Sequence, residues 1–144
     1  MSSEDDVRAA SRKFYEALNK MVNGDSSSMA DAWSHGASVT ALHPVGGRTV
    51  GWEAVAASFA QVAGMSSGGK VELKEQVIQV GGDMAFEIGF EDGSLTMAGE
   101  PVTIDHRVTN VYRREEGGWR MVYHHTDTSP AMLDLIARLQ AAAG

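Results

Sequence analysis

Residues 102–127, VTIDHRVTNVYRREEGGWRMVYHHTD, decide the architecture. Apolar and polar positions alternate with a period of two on either side of Glu116-Gly117, the pattern of a long β-hairpin. Upstream, Val71 to Val80 keeps the same period. Gly81-Gly82-Asp83 turns it into Met84 to Phe90, and Gly99-Glu100-Pro101 marks the next reversal. A meander of long antiparallel strands is expected.

Before that meander the period is helical. Val7, Ala10, Phe14, Ala17, Leu18 and Met21 form one stripe after a Ser3 cap and three acids, and Gly24 stops the helix. A short helix is predicted from Ser28 to Trp33, a strand from Val39 to His43 ending in Pro44-Val45-Gly46-Gly47, and a third helix from Trp52 to about Ala63. After the meander, Ser129-Pro130 supplies an N-cap and first-turn proline for a helix carrying Met132, Leu133, Ile136 and Leu139. Helices first and strands afterwards make the class α+β. Strands this long twist, and curling over a helix layer gives a cone around an internal pocket.

The bulk numbers fit one domain over residues 1–144, with 43% hydrophobic and 22% charged residues. A net charge of −7 disfavours nucleic acid and anionic membranes as partners. There is no cysteine, and the N-terminal MSSEDDVR is acidic where a secretory leader would be basic. A cytoplasmic protein is expected. His124 and His125 are strand neighbours that point to opposite faces, and helical His-x-x-His spacing is absent, so neither a metal site nor a cofactor is expected.

Pairing across Glu116-Gly117 sets Arg114 opposite Trp119, Tyr112 opposite Met121, Asn110 opposite Tyr123 and Val108 opposite His125. Strict alternation then puts His106, Val108, Asn110, Tyr112, Met121, Tyr123, His125 and Asp127 on one face, with Arg107, Thr109, Val111, Val122, His124 and Thr126 on the other. The first set, richer in large amphipathic groups, is taken to face the pocket. The second makes a mixed outer surface that a partner sheet would cover, and a homodimer is expected.

The element order resembles the nuclear transport factor 2-like superfamily, which includes SnoaL-like proteins and ketosteroid isomerases. The run VYRREEGGWRMVYHHTDTSP is similar to the association domain of calcium/calmodulin-dependent protein kinase II, keeping Trp119, His125 and Pro130 at that family's spacing with Tyr123 in place of its first histidine. NGD at 23–25, HPVGG at 43–47 and VELKEQV at 71–77 resemble the ketosteroid isomerases. The isomerase resemblance implies His43 as a proton-abstracting base and Asn110 in the position of the oxyanion-stabilising acid, with the family's helix-borne tyrosine falling at Ala17. A rival register, through TIDH at 103–106, nominates Asp105 instead. Trp33, Phe59, Tyr112, Tyr123, His125 and Asp127 are the expected ligand-binding wall. Three readings stand at this point: a dimeric binder of a small organic molecule without an established reaction, a proton-transfer enzyme (isomerase, cyclase or dehydratase) with His43 as base, and an oligomerisation scaffold.

Overall fold

Helix α1 spans Ser3–Met21 with Glu4, Asp5 and Asp6 in its first turn and Lys20 in its last, charges that complement the helix dipole. Ser3 lies inside the helix rather than capping it. The computed structural model describes residues 3–44, 46–127 and 130–143, so Val45 and the expected cap Ser129 lie outside the described residues. The chain continues through α2 (Met29–Ala32), β1 (Thr40–Leu42), β2 (Thr49–Val50), α3 (Trp52–Ala63), β3 (Ser66–Gly81), β4 (Met84–Met97), β5 (Glu100–Glu115), β6 (Gly118–Thr126) and α4 (Pro130–Ala143). Strand β2 was not anticipated, and β4 runs well beyond the expected Phe90.

The strands form one sheet in the order β2-β1-β6-β5-β4-β3. β1 runs parallel to β6, and every other pairing is antiparallel. β3 and β5 are 16 residues long, far beyond the usual five or six, and such strands twist and curl. Bulges sharpen the bend, between Ser67 and Lys70 and between Lys74 and Val77 on β3. Glu75 takes φ 53° at the second of these, and Gln76 beside it reaches the interior. Val7, Phe14, Leu18 and Met21 of α1 pack into one core with Val55 and Phe59 of α3 and inward residues of the sheet. Phe14, Trp52 and Phe59 surround the fully buried Trp33 at centroid distances of 6.5, 6.5 and 5.7 Å.

The hairpin of β5 and β6 corrects the expected register. Arg114 pairs with Trp119 and Tyr112 with Met121 as expected, but Val111 then pairs with Tyr123, Asn110 with His124 and Thr109 with His125. Val122 is the extra residue of a β-bulge, and one extra residue exchanges the faces of everything beyond it. His106, Val108, Asn110, Tyr112 and Met121 remain buried, whereas His124 and Thr126 replace Tyr123 and His125 on the inner side. Tyr123, His125 and Asp127 stand on the outer side. Asp105 is exposed and Asn110 fully buried, so the rival register does not bring Asp105 inside.

Strand β4 inverts the usual alternation. Ala85, Glu87 and Glu91 are buried, while Met84, Phe86, Ile88 and Phe90 are 40–43% exposed on the convex face. Through the ladder Phe86 neighbours Val111, and Ile88 neighbours Thr109 and Val77, which makes an apolar band across the outer sheet.

At the first bulge the strands approach so closely that a Cβ on Gly93 would lie 1.9 Å from the Lys70 carbonyl oxygen, whereas one on Gly81 would meet nothing within 4 Å. Gly93→Ala should lower stability by about 2 kcal/mol or more, and Gly81→Ala should change it by less than about 0.5 kcal/mol, as urea midpoints at constant m-value would record. Equal midpoints for the two variants would contradict the close approach.

Candidate functional site

Buried polar residues inside the cone form one continuous hydrogen-bond network. Its fixed points are Glu87 and Glu91, neighbouring inward positions of β4 apart from Gly89. The Glu87 carboxylate accepts from Tyr112 Oη (2.8 Å), Asn110 Nδ2 (3.0 Å) and Gln76 Nε2 (2.6 Å). Gln76 in turn accepts from Arg8 Nη1 on α1 at 2.5 Å. Glu91 accepts from Tyr15 Oη at 2.9 Å and, at the long end of the range, from His106 Nδ1 at 3.5 Å.

Asn110 joins the two halves. Its Nδ2 donates to both Glu87 and Tyr15 Oη (3.1 Å), and its Oδ1 lies 2.5 Å from His124 Nδ1. Both amide hydrogens are thus committed inside the protein, and none is left for an oxyanion. The tyrosine expected from the family alignment at Ala17 has a counterpart two residues earlier, where Tyr15 sends its hydroxyl into the network.

Burial shapes the protonation states. It raises the Tyr15 and Tyr112 hydroxyls well above their ordinary value, with the nearby carboxylates adding to the effect, so both remain donors. Burial alone would raise Glu91 too. The hydrogen bond from His106, the nearby His124 and His106 rings and the Tyr15 hydroxyl outweigh it and hold the carboxyl below its usual range. Burial lowers His124 to about 4 despite Glu91, which leaves it neutral.

Beside this network lies a cavity of about 250 Å³. Leu18, Met21, Phe59, Val62, Leu95, Met97, Ile104 and Met132 make most of its wall, and Glu91, His106, His124 and His43 give it one polar side. His106 is 5% exposed, and among the described residues its Nε2 has no hydrogen-bond partner.

The expected site residues separate accordingly. His43 and Phe59 line the cavity, with their rings edge-on at 5.4 Å. His43 Nε2 is 2.9 Å from Ser58 Oγ, whose own proton goes to the Val55 carbonyl, and burial lowers the ring's pKa. Asn110 and Tyr112 belong to the network behind the cavity, and Trp33 stands in the aromatic core. Tyr123, His125 and Asp127 are on the outer surface, where Tyr123 contacts His125 and Asp127 pairs with Arg107. Glu87, Glu91 and Tyr15 were missed. The signal for both glutamates was present in MAFEIGFED (84–92), whose large apolar residues Met84, Phe86, Ile88 and Phe90 all fall on one parity and leave Glu87 and Glu91 on the other. Among the described residues no cluster of His, Asp or Glu is arranged to hold a metal ion, and no helix is long and apolar enough to cross a membrane.

Comparison with known proteins matches a SnoaL-like domain family profile to residues 7–131. Among solved structures, a candidate calcium/calmodulin-dependent protein kinase type II association domain from Thiobacillus denitrificans is 31% identical, with 85% of this chain and 94% of that one covered at a TM-score of 0.64. A candidate dehydratase of the nuclear transport factor 2-like family from Streptomyces avermitilis is 23% identical over 90% and 97% of the two chains, TM-score 0.76. A nuclear transport factor 2-like superfamily protein from Salmonella enterica is 17% identical over 88% and 90%, TM-score 0.77. No curated protein matches.

A histidine at about 4 in the folded state and near 6.5 in the unfolded chain makes stability depend on pH. Between those values the unfolded state binds the proton and the folded state does not, so stability falls as pH falls. Chemical denaturation should show about 3 kcal/mol more acid-induced loss from pH 7 to 4 in the wild type than in His124→Gln. Parallel pH curves for the two proteins would contradict the neutral, buried state of His124.

Proposed function

The chain belongs to the SnoaL-like domain family, and from that premise we propose that it binds a small, largely apolar organic molecule inside the cone and moves a proton on it through His106. One observation carries this reading: His106 lines an apolar cavity, its Nε2 is buried and has no hydrogen-bond partner among the described residues, and the Glu91 carboxylate stands behind the ring. A buried polar nitrogen without a partner costs about 1–3 kcal/mol, and a ligand group that pairs with it recovers that cost. A carboxylate on the other ring nitrogen orients the imidazole and offsets the positive charge it gains on taking a proton.

The base is assigned to His106 in preference to His43. Ser58 holds His43 Nε2, and among the described residues no carboxylate backs that ring. Asn110 acts as a positioning residue, since its amide is fully engaged within the network. The wall of leucine, methionine and isoleucine side chains suits a ring or branched hydrocarbon body, and the cavity volume suits roughly a bicyclic molecule.

A neutral, compact probe, 5-nitrobenzisoxazole, tests the base directly. A base takes its C3 proton, the C=N unit becomes a nitrile as the N–O bond breaks, and a coloured nitrophenolate is released. The protein should accelerate this reaction saturably beyond an equal concentration of free imidazole. His106→Ala should lower kcat/KM by at least ~10²-fold. Full loss in His43→Ala with His106→Ala unaffected would transfer the role to His43; no acceleration by the wild type would sink the proton-transfer reading.

A second reading concerns assembly. We infer a homodimer through the convex sheet, supported by the apolar band of Met84, Phe86, Ile88 and Phe90 and by association-domain proteins among the structural neighbours. Sheet-to-sheet packing buries such a band as a domain core does. Light scattering at micromolar concentration should give twice the 15.4 kDa chain mass, and Ile88→Glu with Phe86→Glu should give the monomer. A monomeric wild type would end this reading.

A further inference from the structure

Resting on the cavity as the ligand site, we propose that its inner polar side is lined by acceptors, selects neutral molecules carrying an O–H, N–H or acidic C–H donor, and discriminates against carboxylates and ligands with acceptors alone. The network's direction fixes this. A carboxylate can only accept, so Glu87 must face the Asn110 amide nitrogen, which turns Asn110 Oδ1 toward His124. That oxygen can only accept in its turn, so His124 Nδ1 carries the hydrogen and the neutral ring has its lone pair on Nε2. Glu91 imposes the same tautomer on His106.

The logic extends to His43. Ser58 Oγ gives its proton to the Val55 carbonyl, so it accepts from His43 Nε2 and leaves the lone pair of that ring on Nδ1. Thr126 Oγ1 donates to the Leu42 carbonyl. The inner polar side of the cavity therefore offers three imidazole lone pairs and a carboxylate, and the lining amide that can donate, Gln61, is exposed at the rim. A ligand that brings acceptors alone sets lone pair against lone pair in a largely apolar cavity, and an anion also meets the Glu91 charge. A hydroxyl satisfies His106 Nε2 and places its proton on the base. An oxyanion formed in the cavity finds no donor there except the proton His106 has just taken, which separates this site from one with a preformed oxyanion hole.

Two measurements on the wild-type chain test the inference. Calorimetry at pH 8 would compare 2-naphthol, 2-methoxynaphthalene and 2-naphthoate, which share one hydrocarbon body. Binding by 2-naphthol should be at least ~10-fold tighter than by 2-methoxynaphthalene, with 2-naphthoate weakest. Equal or reversed order overturns this inference alone, whereas no binding by any of them overturns the ligand-site reading and this inference with it. Long-range proton–nitrogen-15 spectra of the histidine rings, read without ligand, should show the Nδ1–H form for His106 and His124. An Nε2–H form at either ring overturns the inference whatever the probes do.

Discussion

Two carboxylates buried on one strand govern the interior. An ionised carboxylate taken out of water is costly unless donors surround it, and those of Glu87 and Glu91 come from every side of the cone. Tyr15 is supplied by α1, Gln76 by β3, and His106, Asn110 and Tyr112 by β5. Because carboxylates accept without donating, each bond leaving them has a single direction. That direction passes through Asn110 to His124 and through Glu91 to His106, so an energetic requirement becomes a rule for which ring nitrogens carry the hydrogen.

The curvature of the sheet makes this convergence possible. β3, β4 and β5 are long enough to wrap α1 only because bulges bend them, and the same bulges choose which side chains turn inward. Gln76 reaches Glu87 through the bulge at Glu75. The bulge at Val122 performs the equivalent step on β6, sending His124 to Asn110 and leaving His125 outside. Shape and chemistry are therefore set by the same backbone irregularities.

That coupling explains what the sequence disclosed. The α+β class, the third helix and the hairpin turn followed from periodicity, because burial against a curved sheet imposes a period of two and helix stripes impose 3.6. His106, Asn110 and Tyr112 were placed on the inner face because strict pairing holds on β5. Tyr123 and His125 were misplaced because Val122 carries no mark in the sequence: it is an ordinary β-branched strand residue, and the bulge becomes visible only when Val111 is seen to pair with Tyr123. Glu87 and Glu91 were overlooked for a different reason. Charged residues in an alternating strand are ordinarily taken as the solvent side, and β4 reverses that rule.

The reversal links the inside of the fold to its outside. A strand has two faces and fixed parity, so turning Glu87 and Glu91 inward turns Phe86, Ile88 and Phe90 outward. Solvent is a poor environment for such a band, and a second apolar sheet is a favourable one. Covering the convex face would therefore favour the alternation that keeps Glu91 in the cavity wall and Glu87 in the network behind it. On the proposed assembly, interface and candidate site are two faces of one strand.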